Sequence, residues 1–342
     1  MTVTTSLRGR RIAIIGGAGF IGHNLALSLR AAGANVDVVD SLQVNNLLSF
    51  ASSGGDNRHL YMRILNERLT RLTAAGVPLH PLDARDYHAL GIVLKQLRPQ
   101  VIIHLAAVAH AGRSNKDPFS TFDHSLRTLE NALDCARGNV EQFIFLSSSM
   151  VYGNFQTEAA DEDHPLNPIG IYGALKVAGE KMVIAYQQVF DLPYTILRPS
   201  ALYGPGCVSR RVTQVFIEAA MAGGPLRVDG DGSDRLDFTY IDDLIQGITL
   251  ALQEPAARNE IFNITYGRSR AISELVHIIR GHFPGVEVER VERDKLMPER
   301  GTLAGEKARR LLGYAPRFDL EAGIGRYVDW YRQQSPVPEV PA

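Results

Sequence analysis

The chain has 342 residues, enough for a large buried core and two lobes. Its 36 basic and 37 acidic side chains nearly cancel, which excludes a strong general attraction to nucleic acid or an anionic membrane; any anionic ligand must be met by local charge. Cys135 and Cys207 are too few for a disulfide framework and lack metal-ligand spacing, and neither a signal-like N-terminus nor a membrane-spanning apolar run is present, so a cytoplasmic protein holding no metal is expected.

The apolar stretch 12–15 predicts a strand that runs directly into Gly16, Gly19 and Gly22, with a helix over 23–32 behind them. Missing side chains there let the backbone turn tightly and approach a pyrophosphate, while the helix N-terminus supplies N–H donors. Such spacing also fits a turn that binds nothing. The next strand, 36–39, narrows the choice because it ends in Asp40, roughly 20 residues past the glycines, where a carboxylate accepts ribose hydroxyls and repels a 2′-phosphate. NAD is therefore expected over NADP.

Residues 42–76 are long for one connection and combine a loop around 52–55 with a helix near 60–72, to which no role is assigned. Strands follow at 101–105, 143–146 and 194–197, each with a helical segment after it. This alternation predicts an α/β fold, a Rossmann-type doubly wound parallel sheet. The strand at 143–146 ends in Ser147, Ser148 and Ser149, which should face the ligand crevice at the carboxyl ends of the strands. Tyr172 and Lys176 open a helical stretch over 172–190 and share one face, so the ammonium favours the phenolate and makes Tyr172 a usable general base.

Beyond Leu202 the rhythm changes, with Tyr203, Gly204, Pro205 and Gly206, a helix over 212–222, and two further glycine turns at 223–225 and 230–232. Strands return at 238–241 and 261–264, with Asp242 and Asp243 opening the helix between them. The expected division is a dinucleotide-binding unit over 10–200, rejoined by 237–265, a second lobe from 201–236 and 266–333, and a frayed tail over 334–342.

In this order and spacing the motifs resemble the extended short-chain dehydrogenase/reductases, in their NAD-dependent nucleotide-sugar epimerase/dehydratase branch. The resemblance spans 11–331 and rests on the glycines with Asp40, Asp83 to Asp86, His104 to Ala107, Ser148 with Val151, Tyr152 and Gly153, Tyr172 with Lys176, Leu197 to Pro199, Tyr203 to Gly206, Gly230 to Gly232 and Ala308 to Tyr314. It implies that Phe20, Ile21, Asp83, Ala84, Leu105, Ala106, Ala107 and Pro199 also line the cofactor, and that Lys176 binds the nicotinamide ribose. Ser148 becomes the catalytic hydroxyl, and the second lobe grips a nucleotide-diphosphate sugar. It also implies a homodimer through helices near 119–136 and 172–190.

The implied reaction begins with Tyr172 taking a proton from a sugar hydroxyl while NAD serves as hydride shuttle. The branch's dehydratases and decarboxylases carry an acid two residues before the V-Y-G tyrosine, where this chain has Met150, preceded by Ser149. A thioether transfers no proton, so 4-epimerisation of a UDP-hexose or UDP-hexuronic acid through a 4-keto intermediate is the first reading. A dehydratase or a reductase with the same Ser-Tyr-Lys set is the alternative, and a non-catalytic NAD-binding sensor is the reading from another class.

Several positions depart from the branch. His124 and Arg127 stand where it has Asn and Gly, and Ala201 where it often has Asn. Its diphosphate-binding Arg aligns with Leu236, one residue after Arg235, so either a local shift brings Arg235 to the phosphates or another cation serves. Arg300 matches a phosphate-binding position, and Ser149 joins Ser148 beside the sugar. His110, Arg113 and Ser114 resemble a substrate-side stretch of dehydratases.

Overall fold

The computed structural model describes residues 5–51, 57–109 and 111–334; the loop expected around 52–55, His110, and the expected tail apart from Gln334 lie outside the described residues. Gln334 itself ends a helix and donates to Glu67 at 3.0 Å.

The central strands are β1 (Arg11–Ile15), β2 (Asn35–Asp40), β3 (Leu79–Pro81), β4 (Val101–His104), β5 (Gln142–Leu146), β6 (Tyr194–Pro199) and β7 (Glu260–Ile264). They form one seven-stranded sheet in the order β7-β6-β5-β4-β1-β2-β3. All neighbours run parallel. The longer helices are α1 (Phe20–Ala31), α2 (Arg58–Ala74), α3 (Tyr87–Leu97), α4 (Thr128–Ala136), α5 (Gly170–Phe190), α6 (Val212–Met221), α7 (Ile241–Gln253), α8 (Ile272–His282) and α9 (Leu320–Gln334).

Strand alternation divides the core into two layers. Ile12, Ile14 and Val38 pack with Leu25 and Leu29 of α1 and Leu244 of α7, whereas Ala13, Ile15 and Ile102 pack with Leu90 of α3, Leu133 of α4 and Val183 of α5. Strand order reverses between β1 and β4, where open α/β sheets bind ligands. The register sets Ile15 beside both Val39 and His104, so the next residues, Gly16, Asp40 and Leu105, lie side by side.

Three elements differ from the sequence expectation. The three-residue edge strand β3 is too short to show an alternation. The strand expected at 238–241 contracts to Thr239–Tyr240, paired with Leu202–Tyr203, because Ile241 already begins α7. Asp242 and Asp243 lie in that helix's first turn, which favours acidic side chains, and the Asp243 carboxylate also accepts from the backbone N–H of Arg317 and Phe318. The helix expected over 119–136 runs through a wide π turn at Asp123–Arg127, and the Thr128 hydroxyl donates to the carbonyls of His124 and Ser125 at 3.0 and 3.3 Å.

Short ladders lie outside the main sheet, joining Leu226–Asp229 to Val288–Val291, Arg235–Leu236 to Arg270–Ala271, and Ala159–Ala160 to Thr302–Leu303. The long helix α5 ends where Asp191 turns left-handed at φ 52°, with Pro193 two residues on.

Candidate active site

Two adjoining cavities open at the carboxyl ends of β1, β4, β5 and β6. Gly16, Gly19, Phe20, Ile21, Gly22, Asp40, Asp83, Ala84, Leu105, Ala106 and Ala107 all line the first. Ser148, Ser149, Tyr172, Lys176, Pro199 and Arg300 line the second, and Ile21, Leu105 and Ala107 border both. Two motifs distant in sequence meet at Gly16, where φ is +81° and a Cβ would stand 2.7 Å from the Ala106 backbone nitrogen. Gly22 lies against the Gly17 backbone and has no room for a side chain, so α1 docks tightly behind the loop.

Asp40 has its orientation set by the same loop. Its carboxylate accepts from Ala18 N–H at 2.9 Å and from Leu42 N–H at 2.7 Å. Burial pushes its carboxyl above the usual carboxylate range. An ionised carboxylate has about four acceptor positions, so two remain for ribose hydroxyls. With the close glycine turn and the acid beside it, this crevice fits NAD.

The segment 42–76 acquires a structural role here. Arg68 of α2 is 2% exposed, donates through Nε to Gly206 O at 2.9 Å and through Nη1 to Ala18 O at 3.4 Å, and thereby ties the glycine loop to the Tyr203–Gly206 turn. Asn46 also donates to Ala18 O, at 3.1 Å. The buried Arg68 charge opposes the burial effect on Asp40. Sequence reasoning missed Arg68, since an arginine on an amphipathic helix ordinarily faces water.

The three serines after β5 point in three directions. Ser147 donates to Glu180 at 2.5 Å, and Ser149 donates to Ser200 at 3.2 Å. Ser148 accepts from Met150 N–H at 3.2 Å and lines the second cavity together with Tyr172. Burial raises the pKa of Tyr172, while Arg211 and the Ser148 hydroxyl oppose that rise. Lys176 stands 5.9 Å from the centre of the Tyr172 ring and donates to Leu146 O at 2.6 Å. Burial lowers its pKa to about 8, against the pull of Glu180.

Arg235 requires a correction. It is exposed on its short ladder, donates to the Ser269 hydroxyl at 3.1 Å and to Ser269 O at 2.7 Å, and turns away from the cavity, which Leu236 lines instead. Adjacent strand residues point to opposite faces, and no local shift reverses them here. Arg211, which borders both cavities, was missed; the Arg210-Arg211 pair at the start of α6 was its available signal. His124 lies in the first cavity, with Nδ1 2.8 Å from Ser120 O and Nε2 3.2 Å from Gln43 Oε1. Ala111 and Gly112, not Arg113 and Ser114, line the second cavity, and no Asp or Glu lines it among the described residues.

The sequence model of the NAD-dependent epimerase/dehydratase family matches residues 12–265. A UDP-glucose 4-epimerase of Mycolicibacterium smegmatis is 29% identical over 95% of this chain and 99% of that protein. Among solved structures, a UDP-glucose 4-epimerase from Thermus thermophilus with NAD superposes at TM-score 0.79 and 27% identity, covering 94% of this chain and 99% of that one. A dTDP-glucose 4,6-dehydratase from Streptomyces venezuelae with NAD superposes at 0.83 and 28%, covering 94% and 97%.

Proposed function

We propose, because the chain belongs to the NAD-dependent epimerase/dehydratase family, that it epimerises a nucleotide-diphosphate sugar, at C4 of a UDP-hexose or a UDP-hexuronic acid. NAD is its cofactor. The observation that carries the choice of reaction is the second cavity, in which Ser148 and Tyr172 face a space lined by Met150 and by no Asp or Glu among the described residues. Dehydration needs a group that moves a proton at a neighbouring carbon, and epimerisation does not. A dehydratase remains the second reading because such an enzyme superposes on this chain as well as an epimerase does.

In this reading Tyr172 takes the proton from the C4 hydroxyl, and the Ser148 hydroxyl holds the same oxygen as charge develops on it. Lys176 favours the phenolate and binds the nicotinamide ribose. When bound, NAD accepts and returns the hydride. Arg300 and Ser149 contact the substrate. Residues 10–200 with 237–265 form the NAD-binding unit, and 201–236 with 266–333 form the substrate lobe.

The test is incubation of the purified protein with UDP-, dTDP-, GDP- and CDP-sugars, with isomers separated before mass spectrometry. A new peak of unchanged mass is expected; loss of water or carbon dioxide would replace the epimerase reading. Net oxidation or reduction of NAD would identify a reductase. No product from any sugar, with NAD bound, would favour a sensor.

Turnover should also depend on pH through Lys176. Its ammonium is lost above about pH 8, so activity should fall on the alkaline side, and a flat profile up to pH 10 would remove that role.

Among the described residues no helix is long and apolar enough to cross a membrane. The two thiols are free, which suits a cytoplasmic location. A homodimer through 119–136 and α5 is supported by apolar side chains left outside the core, with Phe119 81% and Val189 69% exposed. Sedimentation as a single 37.6 kDa chain would contradict it.

A further inference from the structure

Arg235 turns away and Leu236 takes its place, so the cavity needs a different partner for Arg300 if it is to hold a doubly charged diphosphate. The start of α6 supplies one. Arg211 immediately precedes this ten-residue helix, no side chain caps it, and Val212 and Thr213 of its first turn line the cavity. The first-turn N–H groups have no partner within the helix and carry its positive dipole end toward that space.

Independent polar atoms mark the same place. The Thr213 hydroxyl is buried without a partner in a residue 1% exposed, and the Nε atoms of Arg211 and Arg300 are likewise buried and unpartnered. Buried polar groups are normally paired, so these three are poised for an acceptor. The two guanidinium groups are close enough for Arg211 to disfavour the charge of Arg300. A bound anion would relieve that repulsion.

The neighbouring side chains leave this role to Arg211. Asp234, the acid that favours the Arg300 charge, is held by Arg293 through hydrogen bonds of 2.9 to 3.1 Å. Lys176 is committed to Leu146 O, while Arg210, which also lines the second cavity, is exposed and lies one residue further from α6 than Arg211.

We infer that Arg211, with the Thr213 hydroxyl and the first-turn N–H groups of α6, forms the half of the diphosphate site opposite Arg300 and does the work expected of Arg235. This rests on the nucleotide-sugar reading above. Arg211 and Tyr172 line the same cavity, and the Arg211 charge favours the Tyr172 phenolate.

The test is calorimetric titration of the NAD-loaded full chain with UDP, dTDP, GDP, CDP and inorganic pyrophosphate. For the nucleotide the wild type binds, Arg211→Gln should weaken affinity about 30-fold and Thr213→Val about fivefold, the scale of a lost charged and a lost neutral hydrogen bond. Arg211→Lys should recover part of the loss, Arg235→Gln should stay within about twofold, and NAD affinity should not change in Thr213→Val or Arg235→Gln, neither of which alters a residue lining the first cavity. Wild-type affinity in Arg211→Gln, or a larger loss in Arg235→Gln, would overturn the assignment while leaving the nucleotide-sugar reading intact. A wild type that binds none of the five would overturn both.

Discussion

Tyr172→Phe should reduce turnover by at least about a thousandfold while leaving NAD bound, because it removes one oxygen and little else. The ring is half-buried at the start of α5, so phenylalanine keeps the packing. In the proposed reaction what disappears is the group that takes the proton. Burial alone leaves less of this phenol as phenolate near neutral pH than in free tyrosine, and each pKa unit corresponds to about 1.4 kcal/mol. Arg211 and Ser148 oppose that effect, and a cationic nicotinamide would oppose it further. The measurement pairs a product assay with a fluorescence titration of NAD. Near wild-type turnover would remove Tyr172 as the base, whereas lost NAD binding would assign it to cofactor retention.

Arg198→Met should destabilise the fold by about 3–5 kcal/mol, enough to lower the melting temperature by on the order of 10 °C. Arg198 and Glu180 are 2% and 1% exposed and form a bidentate pair at 2.9 and 2.7 Å. The remaining guanidinium nitrogen donates to the Tyr152 hydroxyl at 2.9 Å and to Glu162 O at 3.0 Å. Removing the arginine leaves a buried carboxylate with Ser147 as its remaining hydrogen-bond donor and leaves Tyr152 without a donor. Such single removals cost more than the pair contributes, so Arg198→Met combined with Glu180→Leu should recover much of the loss. Thermal melts of both variants decide this. A loss below about 1 kcal/mol in the single variant would show that water reaches Glu180.

The pair also explains why Leu197, Arg198 and Pro199 read as a motif. Glu180 follows Lys176 by one helical turn, so the pair locks β6 to the helix that presents Tyr172 and Lys176. From Tyr152 the chain of bonds continues to Asn263 of β7 at 2.7 Å, and from Asn263 to Ala304 O at 3.2 Å, close in sequence to Arg300. A motif visible as three residues is one end of a connection across the sheet.

Local signals in the sequence determined much of this protein: the alternation that makes a parallel sheet, the glycines and Asp40 that mark the cofactor crevice, and the Ser, Tyr and Lys at the carboxyl ends of β5 and on α5. These depend on residues within a turn or a strand of one another, where backbone period and side-chain size act directly. Tertiary structure decided that Arg235 faces outward, that Arg68 braces the glycine loop, and that Arg211 stands between two cavities. Those outcomes depend on segments far apart in sequence packing together, and on which buried polar groups find partners. A two-residue strand such as Arg235–Leu236 is too short for its alternation to reveal which side chain turns inward; only the element packed against it settles that.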